Sequence, residues 1–287
     1  MNEFISASHD VAFKALFVRN PDILKAFLSD ALELNLTDED TIKIMSPEDI
    51  PNTADGKLSR LDVHVRTANR RYNVEMQASR TGFSVERVLY YWSQLFGDGF
   101  ESGNKYEELD QTYSINVLGF NYFICKKYHS SFSIFEDERF ELLTDKLSIH
   151  VFELPKVPAE LTPDDHTQDW MEIIKADTEE ALEKVRARTE NPMINKAIDA
   201  ICYLNADERL REQIRVQRKA ELDYGNDIAV AEARGVKIGE ARGEARGVEI
   251  GEARGESKAF SEVIENMRRN GFSEEQIRLI VGNGYKE

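Results

Sequence analysis

Apolar residues recur near helical spacing at the start of the chain, which predicts two neighbouring helices. Ser8 can cap the first helix, and Asn20-Pro21 ends it, because a residue before proline avoids the helical region and proline suits a first helical turn. Residues 50–57 contain Pro, Asn, Asp and Gly and predict a loop. The helical period returns over residues 83–96 and predicts a third helix.

Five segments have the pattern of β-strands. Residues 60–66 and 72–78 alternate between polar and apolar positions, and residues 113–123 form the apolar run of a buried strand. Further strands are predicted over residues 131–136 and 147–154.

The composition changes near Pro155, where Pro, Asp and Thr become frequent and only helical patterns follow, including predicted helices over about 170–188 and 192–206. This change predicts a domain boundary. We predict an α/β core over residues 1–157, a helical region over 158–225, a glycine-repeat helix over 226–270 and a short C-terminal helix over 271–287.

Residues 232–255 form a repeat, EARGVKIGEARG followed by EARGVEIGEARG, with glycine at every fourth position. Each glycine inside a helix costs about 1 kcal/mol relative to alanine, so one interpretation is a weakly helical, solvated linker. The other interpretation is that the stripe of small residues lets a second helix approach closely. The second interpretation predicts a homo-oligomer formed through the C-terminal helix.

The two alternating segments are predicted to form a hairpin with a two-residue turn at Ala68-Asn69. In this register Asp62 lies opposite Glu75, and a shift by one residue would mix polar and apolar side chains on both faces. The polar face holds Arg60, Asp62, His64, Asn73, Glu75 and Gln77, and the other face holds Leu61, Val63, Val65, Tyr72, Val74 and Met76.

Asp62 and Glu75 are the candidate metal ligands of this hairpin. Directly opposed residues have β-carbons about 4.5–5.5 Å apart, and two carboxylates so close repel unless a cation lies between them. Mg²⁺ prefers carboxylate and carbonyl oxygens together with water, and the backbone carbonyl of Met76 is a third candidate ligand. The alternative is an incidental pair of acids on a polar outer face, because such pairs are tolerated on surface hairpins.

The acid pair lies in the one clearly basic region of an acidic chain. Residues 57–87 contain seven Lys and Arg residues against three acids, a net charge of +4, whereas the whole chain carries -16. A uniformly acidic surface repels nucleic acid, but such a local region attracts a phosphate backbone. The candidate DNA contacts are Arg60, Arg66, Arg70, Arg71 and Arg80.

The lack of a secretory-signal pattern and the use of cysteine both favour a cytoplasmic protein. The N-terminal residues lack the pattern of a secretory signal, and no run of about 18 apolar residues exists, so no membrane span is expected. Cys125 and Cys202 are far apart and have no partners at metal spacing, which fits a reducing compartment.

Several segments together resemble the PD-(D/E)XK nucleases. Asp62, followed by Glu75-Met76-Gln77 on the next strand, is similar to the motif of that family. The ordered series SHDVAFKALF, RLDVHV, NVEMQ and RVLYYWSQLF, with the glycine-repeat tail, resembles the recombination-promoting nuclease group, also called PD-(D/E)XK family transposases. The two-acid motif alone is weakly specific, and the ordered series over residues 6–123 makes the match specific.

The resemblance implies a restriction-endonuclease-like α-β-β-β-α-β core and Mg²⁺-dependent DNA cleavage. Asp62 and Glu75 match the two acids, and Asp10 matches an additional acid that the superfamily often places on its first helix. Leu61 replaces the motif's proline without harm, whereas Gln77 replaces its lysine. A glutamine can orient a water molecule but carries no charge, so the metal would lower the pKa of that water largely unaided.

Three further residues are accessory candidates. Lys14 can stand in for the missing lysine if the first helix crosses the site. Arg87 and Tyr91 share a helix face and match the Arg-then-Tyr-Tyr segment of the group, and both phosphate contact and structural hydrogen bonding stay open for them.

We therefore predict an enzyme, a Mg²⁺-dependent DNA endonuclease in which Asp62 and Glu75 hold the metal and Gln77 orients the attacking water. The resemblance implies a role in recombination, mobile elements or defence. Two alternatives stay open: a catalytically impaired DNA-binding or assembly protein, which the missing lysine favours, and a ribonuclease, because nothing in the sequence distinguishes the sugar.

Overall fold

A computed structural model describes residues 4–37, 39–45, 63–98, 100, 103–160 and 165–282. The helices are α1 (Asp10–Arg19), α2 (Pro21–Ala31), α3 (Val85–Gly97), α4 (His166–Lys175), α5 (Glu179–Arg186), α6 (Pro192–Ala206), α7 (Glu208–Arg269) and α8 (Glu274–Val281). The strands are β1 (Lys43–Met45), β2 (Val63–Arg66), β3 (Arg70–Gln77), β4 (Gln111–Leu118), β5 (His129–Phe135) and β6 (Leu142–Glu153). Short 3₁₀ turns cover Tyr106–Glu108 and Leu154–Lys156.

The described strands form one mixed sheet in the order β1-β2-β3-β4-β6-β5. β1, β2 and β3 are antiparallel neighbours, whereas β3, β4 and β6 are parallel, and β5 runs antiparallel at the edge. Helix α3 lies in the connection between β3 and β4, since parallel strands need a long crossover. This order of elements confirms the predicted α/β fold with its α-β-β-β-α-β core.

The hairpin of β2 and β3 has the predicted register. Val63 pairs with Val74 and His64 pairs with Asn73. The backbone N–H of Thr67 donates to the carbonyl of Arg70 at 2.9 Å, which closes the two-residue turn. The register predicts Asp62 opposite Glu75 and Arg60 opposite Gln77. Asp62 and Arg60 lie outside the described residues.

Helices cover both faces of the sheet. The apolar face of the hairpin joins the main core with α1, α2, α4 and α6, where Phe27 and Trp170 meet edge to face at 5.6 Å. On the opposite face, which carries Glu75, Val88 of α3 packs against a smaller cluster formed by β4 and β6. Helix α3 therefore lies on the side of the sheet to which Glu75 belongs.

A single compact unit runs from Met1 to Val216, beyond the boundary predicted near residue 157. The apolar faces of α4, α5 and α6 are buried in the same core as α1 and α2, and Trp170 Nε1 donates to Asp30 Oδ2 at 2.7 Å. These helices therefore complete the core of the α/β part. One helix was predicted over 170–188, but Thr178 caps a separate helix α5 there by accepting from the N–H of Ala181.

Two strand boundaries differ from the sequence-based prediction. β4 ends at Leu118, although its apolar run continues to residue 123, because the chain passes against another backbone at Gly119. A β-carbon at Gly119 would lie 2.7 Å from the carbonyl oxygen of Ala78. β6 begins at Leu142, before the predicted start at residue 147, because its first part pairs with Ile134 and Phe135 of β5.

The second unit, Gln217–Glu287, contains most of the long helix α7. The six repeat glycines lie within α7, and an added β-carbon would meet nothing within 4 Å at any of them. Helix α8 begins with a capping box of Ser273 and Gln276, after Gly271 at φ 86°. No helix in the described part of the chain is long and apolar enough to cross a membrane.

Candidate active site

Glu75 lies in the middle of β3, between β2 and β4, and is 9% exposed. Asn73 Nδ2 donates to Glu75 Oε1 at 3.2 Å. The parallel register places Asn116 of β4 beside Glu75, and Asn116 Nδ2 donates to Ser114 Oγ at 3.1 Å. The carboxyl group is therefore held among buried polar side chains from two neighbouring strands.

Two polar atoms next to Glu75 have no hydrogen-bond partner among the described residues. These buried atoms are Asn73 Oδ1 and His64 Nε2, and they belong to directly opposed residues of the hairpin. A buried polar atom without a partner costs about 1–3 kcal/mol, so both atoms gain from a bound ligand. Carboxylate and amide oxygens suit a hard cation such as Mg²⁺, which makes this set chemically suitable for the implied metal.

The described residues alone form no group of three or more His, Cys, Asp or Glu side chains that could hold a metal ion. Asp62, the partner acid predicted from the sequence, lies outside them. Glu75 is therefore the one predicted acid of the hairpin whose surroundings the structure describes.

Burial dominates the electrostatics of this site. It raises the pKa of Glu75, whereas the hydrogen bond from Asn73 and the charge of Arg87 lower it and the charge of Asp10 raises it further. Burial also lowers the pKa of His64 to about 4, against the opposing charge of Asp98, and Lys14 lowers it too. His64 is therefore neutral near pH 7, and the accessory candidates Asp10, Lys14 and Arg87 all act on this site.

Arg87 lies in the first turn of α3, and its side chain is held by the loop that precedes this helix. Its Nη1 donates to the carbonyl of Gly82 at 3.1 Å, and its guanidinium lies over the ring of Tyr91 at 5.3 Å. Arg87 Nε is buried without a partner among the described residues. The structure thus shows the structural hydrogen bond and leaves a donor available near Glu75.

Gln77 closes β3 at the edge of the site. Its Nε2 donates to the carbonyl of Ser79 at 3.2 Å and reaches that of Thr81 at 3.5 Å. The side chain therefore holds the loop that follows β3. The neighbouring backbone is tied to β4, because the N–H of Gly119 donates to the carbonyl of Gln77 at 2.9 Å.

The candidate DNA-contacting arginines have different environments. Arg71 is 5% exposed, and its Nη1 and Nε contact Asp98 Oδ2 at 2.6 Å and Asp110 Oδ2 at 3.0 Å. Arg71 thus joins β3 to the end of α3 and to the start of β4. Arg66, by contrast, is exposed, and its contact with Asp110 is longer, at 3.7 Å between Nη2 and Oδ2.

Arg70 and Arg80 differ in the same way. Arg70 is partly buried, and its charge acts on Tyr72 and Tyr113 of the apolar face, where it opposes the rise in their pKa that burial causes. Arg80 is exposed and lies over the ring of Tyr122 at 5.8 Å. Of the four described candidates, Arg66 and Arg80 present the most accessible cations.

Sequence reasoning missed three polar residues of the site. Asn116 was part of an apolar run, so its place beside Glu75 follows only from the strand order. Asp98 and Asp110 hold Arg71, but they stand at the ends of loops where no periodicity marks them. For Asn73, the alternation of the hairpin gave the correct face, and that signal was sufficient to find it.

Comparison with known proteins identifies a family for the chain. A family model described as PD-(D/E)XK nuclease family transposase matches residues 7–231. No curated protein and no solved structure gives a significant match to the chain.

Proposed function

Since the chain belongs to the PD-(D/E)XK nuclease family transposases, we propose that it is a Mg²⁺-dependent DNA endonuclease whose active site is built around Glu75. The observation that carries the proposal is the buried carboxyl group of Glu75 beside Asn73 Oδ1 and His64 Nε2, two polar atoms without a hydrogen-bond partner among the described residues. Such a buried polar cluster is costly for folding alone. A ligand role at this place accounts for that cost.

The metal ligands in this proposal are Asp62, Glu75 and the backbone carbonyl of Met76. Asn73 Oδ1 is a further oxygen on the same face of the hairpin. When bound, Mg²⁺ lowers the pKa of a coordinated water molecule and stabilises the charge that develops on the phosphate. The assignment of Asp62 rests on the sequence motif and on the register that residues 63–66 adopt.

The chain's own residues would position the substrate and the water. Gln77 lies two residues beyond Glu75 on the same strand face, and its amide oxygen can accept a hydrogen bond from a water molecule while its nitrogen holds the loop. Arg87 and Lys14 supply positive charge next to Glu75 and His64 respectively. They would replace part of the charge that the motif's lysine contributes.

DNA contacts in this proposal come from exposed cations around the site. Arg66 and Arg80 are the described candidates with accessible side chains, and Arg60 and Arg70 complete the set. Arg71 has a structural role, because its guanidinium is already held by Asp98 and Asp110.

The test is nicking of supercoiled plasmid DNA by the purified full chain, with Mg²⁺ or with EDTA. Glu75→Ala and Asp62→Ala are expected to abolish nicking and to remain folded. Glu138→Ala is the matched control, since Glu138 is an exposed acid in the turn between β5 and β6. If Glu75→Ala nicked the plasmid as fast as the wild type, the active site would lie elsewhere.

A second candidate is a DNA-binding or assembly protein that has lost cleavage. The observation that favours it is Gln77, which stands in the position of the motif's lysine and already donates to backbone carbonyls. In that case the wild-type protein would bind DNA without metal-dependent nicking. Competing DNA and RNA substrates separate the ribonuclease alternative from both.

We also propose that the chain forms homo-oligomers through α7 in the cytoplasm. The support is the open space at the repeat glycines and the exposed apolar residues between them, among them Val236, Ile238, Val248 and Ile250. The two free cysteines are consistent with a reducing compartment. A role in recombination, mobile elements or defence follows from the family alone.

A further inference from the structure

The loops that follow β3 and β4, together with the start of β5, form an open groove of about 880 Å³ on the surface of the first unit. Its principal lining residues, which define the aromatic groove, are Arg80, Tyr122, Phe123, Lys127 and Phe132. No acidic residue of the described chain lines it, although the protein carries a net charge of -16. The aromatic groove is therefore a locally basic and aromatic surface.

The aromatic groove lies beside the proposed nuclease site. The loop after β4 starts at Gly119, whose N–H donates to the carbonyl of Gln77. Arg80 follows Glu75 by five residues, so their Cα atoms are at most about 18 Å apart. A DNA strand held at Glu75 can therefore continue into the groove within a few nucleotides.

A buried ion pair fixes the backbone of the groove. Glu153 is fully buried and accepts hydrogen bonds from the backbone N–H groups of Tyr122 and Phe123. Lys156 Nζ donates to Glu153 Oε2 at 2.6 Å and to the carbonyl of Phe123 at 2.7 Å. The backbone of the loop is thus held in place, while the rings of Tyr122 and Phe123 stay partly exposed beside the smaller hydrophobic cluster.

The ring arrangement suits a flat ligand with a negative charge. The ring centroids of Tyr122 and Phe123 are 5.1 Å apart in an edge-to-face pair, and those of Phe123 and Phe132 are 5.3 Å apart in a tilted pair, so the three rings form a row of neighbouring contacts that ends at the exposed Phe132. Phe132 is 42% exposed, so part of its ring is accessible to a stacking base. Arg80 lies over Tyr122 and Lys127 is exposed, so cations flank the row.

Nucleotides of an unpaired strand combine these two properties. Their bases stack on aromatic rings, and their phosphates are bound by neighbouring cations. In a duplex the base faces are covered by neighbouring base pairs, so a row of rings gains nothing from them. We propose that the aromatic groove binds unpaired nucleotides of single-stranded DNA next to the scissile bond. This inference deepens the proposed nuclease function and rests on it for the place of cleavage.

The test is binding of a fluorescein-labelled oligothymidine strand to the full chain in EDTA, measured by anisotropy at fixed salt. EDTA prevents cleavage, so the measurement is independent of the nuclease activity. Phe132→Ala is expected to weaken binding at least about 5-fold, since one base stack contributes about 1–3 kcal/mol. Lys127→Ala is expected to weaken binding and to reduce its salt dependence.

Phe140→Ala is the matched control, because Phe140 is a 75% exposed phenylalanine outside the groove, in the turn between β5 and β6. It is expected to bind oligothymidine like the wild type. Binding of a fully paired duplex should be unchanged by Phe132→Ala. Circular dichroism of each variant confirms its fold, and Phe132 tolerates substitution because it is already partly exposed.

The failures of the two proposals are distinguishable. Unchanged oligothymidine binding by folded Phe132→Ala and Lys127→Ala overturns the groove assignment, whatever the plasmid assay gives. Groove-dependent binding by a protein that never nicks plasmid DNA overturns the nuclease proposal alone. A particle mass that falls on Phe132→Ala, measured by light scattering, would show that a second copy of the chain occupies the groove and would also overturn the inference.

Discussion

Two buried glutamates in the same sheet are expected to respond oppositely to the same substitution. Glu75 accepts a hydrogen bond from Asn73 and forms no ion pair with any described residue, whereas Glu153 is paired with Lys156 at 2.6 Å. Glu→Gln keeps the shape of the side chain and removes its charge. We therefore expect Glu75→Gln to stabilise the metal-free protein and Glu153→Gln to destabilise it.

The magnitudes follow from the partners that each carboxylate has. Burial raises the pKa of Glu75, so its charged form is disfavoured in the folded state, and an amide there should add about 1–2 kcal/mol to the free energy of unfolding. Glu153→Gln removes the charged partner of the Lys156 ammonium, whose side chain is only 10% exposed. We expect the free energy of unfolding to fall by about 3–5 kcal/mol.

The assay is thermal unfolding in EDTA at neutral pH, followed by circular dichroism. In a unit of this size 1 kcal/mol shifts Tm by about 2–4 °C, so we expect a rise of about 2–8 °C for Glu75→Gln and a fall of about 6–20 °C for Glu153→Gln. Added Mg²⁺ should stabilise the wild type and have a much smaller effect on Glu75→Gln, because a ligand of the folded state raises its stability by mass action.

An unchanged or lower Tm of Glu75→Gln in EDTA would refute the reasoning. It would show that the Glu75 carboxylate already has a counterion in the protein, and the site would then need no metal to hold its charge. Equal destabilisation by both substitutions would have the same meaning.

Three further predictions concern the water-positioning residue, the tail and a buried histidine pair. Gln77→Lys should keep or raise the nicking rate at neutral pH, whereas Gln77→Ala should lower it by roughly 10- to 1000-fold. An unchanged nicking rate of Gln77→Ala would show that Gln77 only holds the loop through its hydrogen bonds. A chain truncated after about residue 225 should form a smaller oligomer and keep its fold, and an unchanged number of subunits in light scattering would contradict association through α7. His129 Nε2 lies 2.9 Å from His150 Nδ1, and burial lowers the pKa of both, for His150 from 6.5 to about 4. The buried, neutral His150 therefore contributes on the order of 3 kcal/mol to the free energy of unfolding above pH 6.5, and this contribution is lost as the pH falls to about 4. His150→Gln should flatten that part of a denaturant-based pH profile, and an unchanged profile would count against it.

The sequence alone determined the register of the β2–β3 hairpin and hence the face of Glu75. Period-two alternation is a local property, and a shift by one residue would have exchanged the two faces. The helix α6 was predictable for the same reason, because helix periodicity and end signals are encoded in neighbouring residues.

Only the tertiary structure decided what lies against those faces. Arg71 belonged to a basic stretch in the sequence, but Asp98 and Asp110 reach it from distant positions and bury its charge. The apolar run of β4 extends to residue 123, yet the backbone contact at Gly119 ends the strand and turns its last aromatic residues into a groove wall. Burial and pairing depend on contacts between segments far apart in the chain, and residue spacing within one segment carries no information about them.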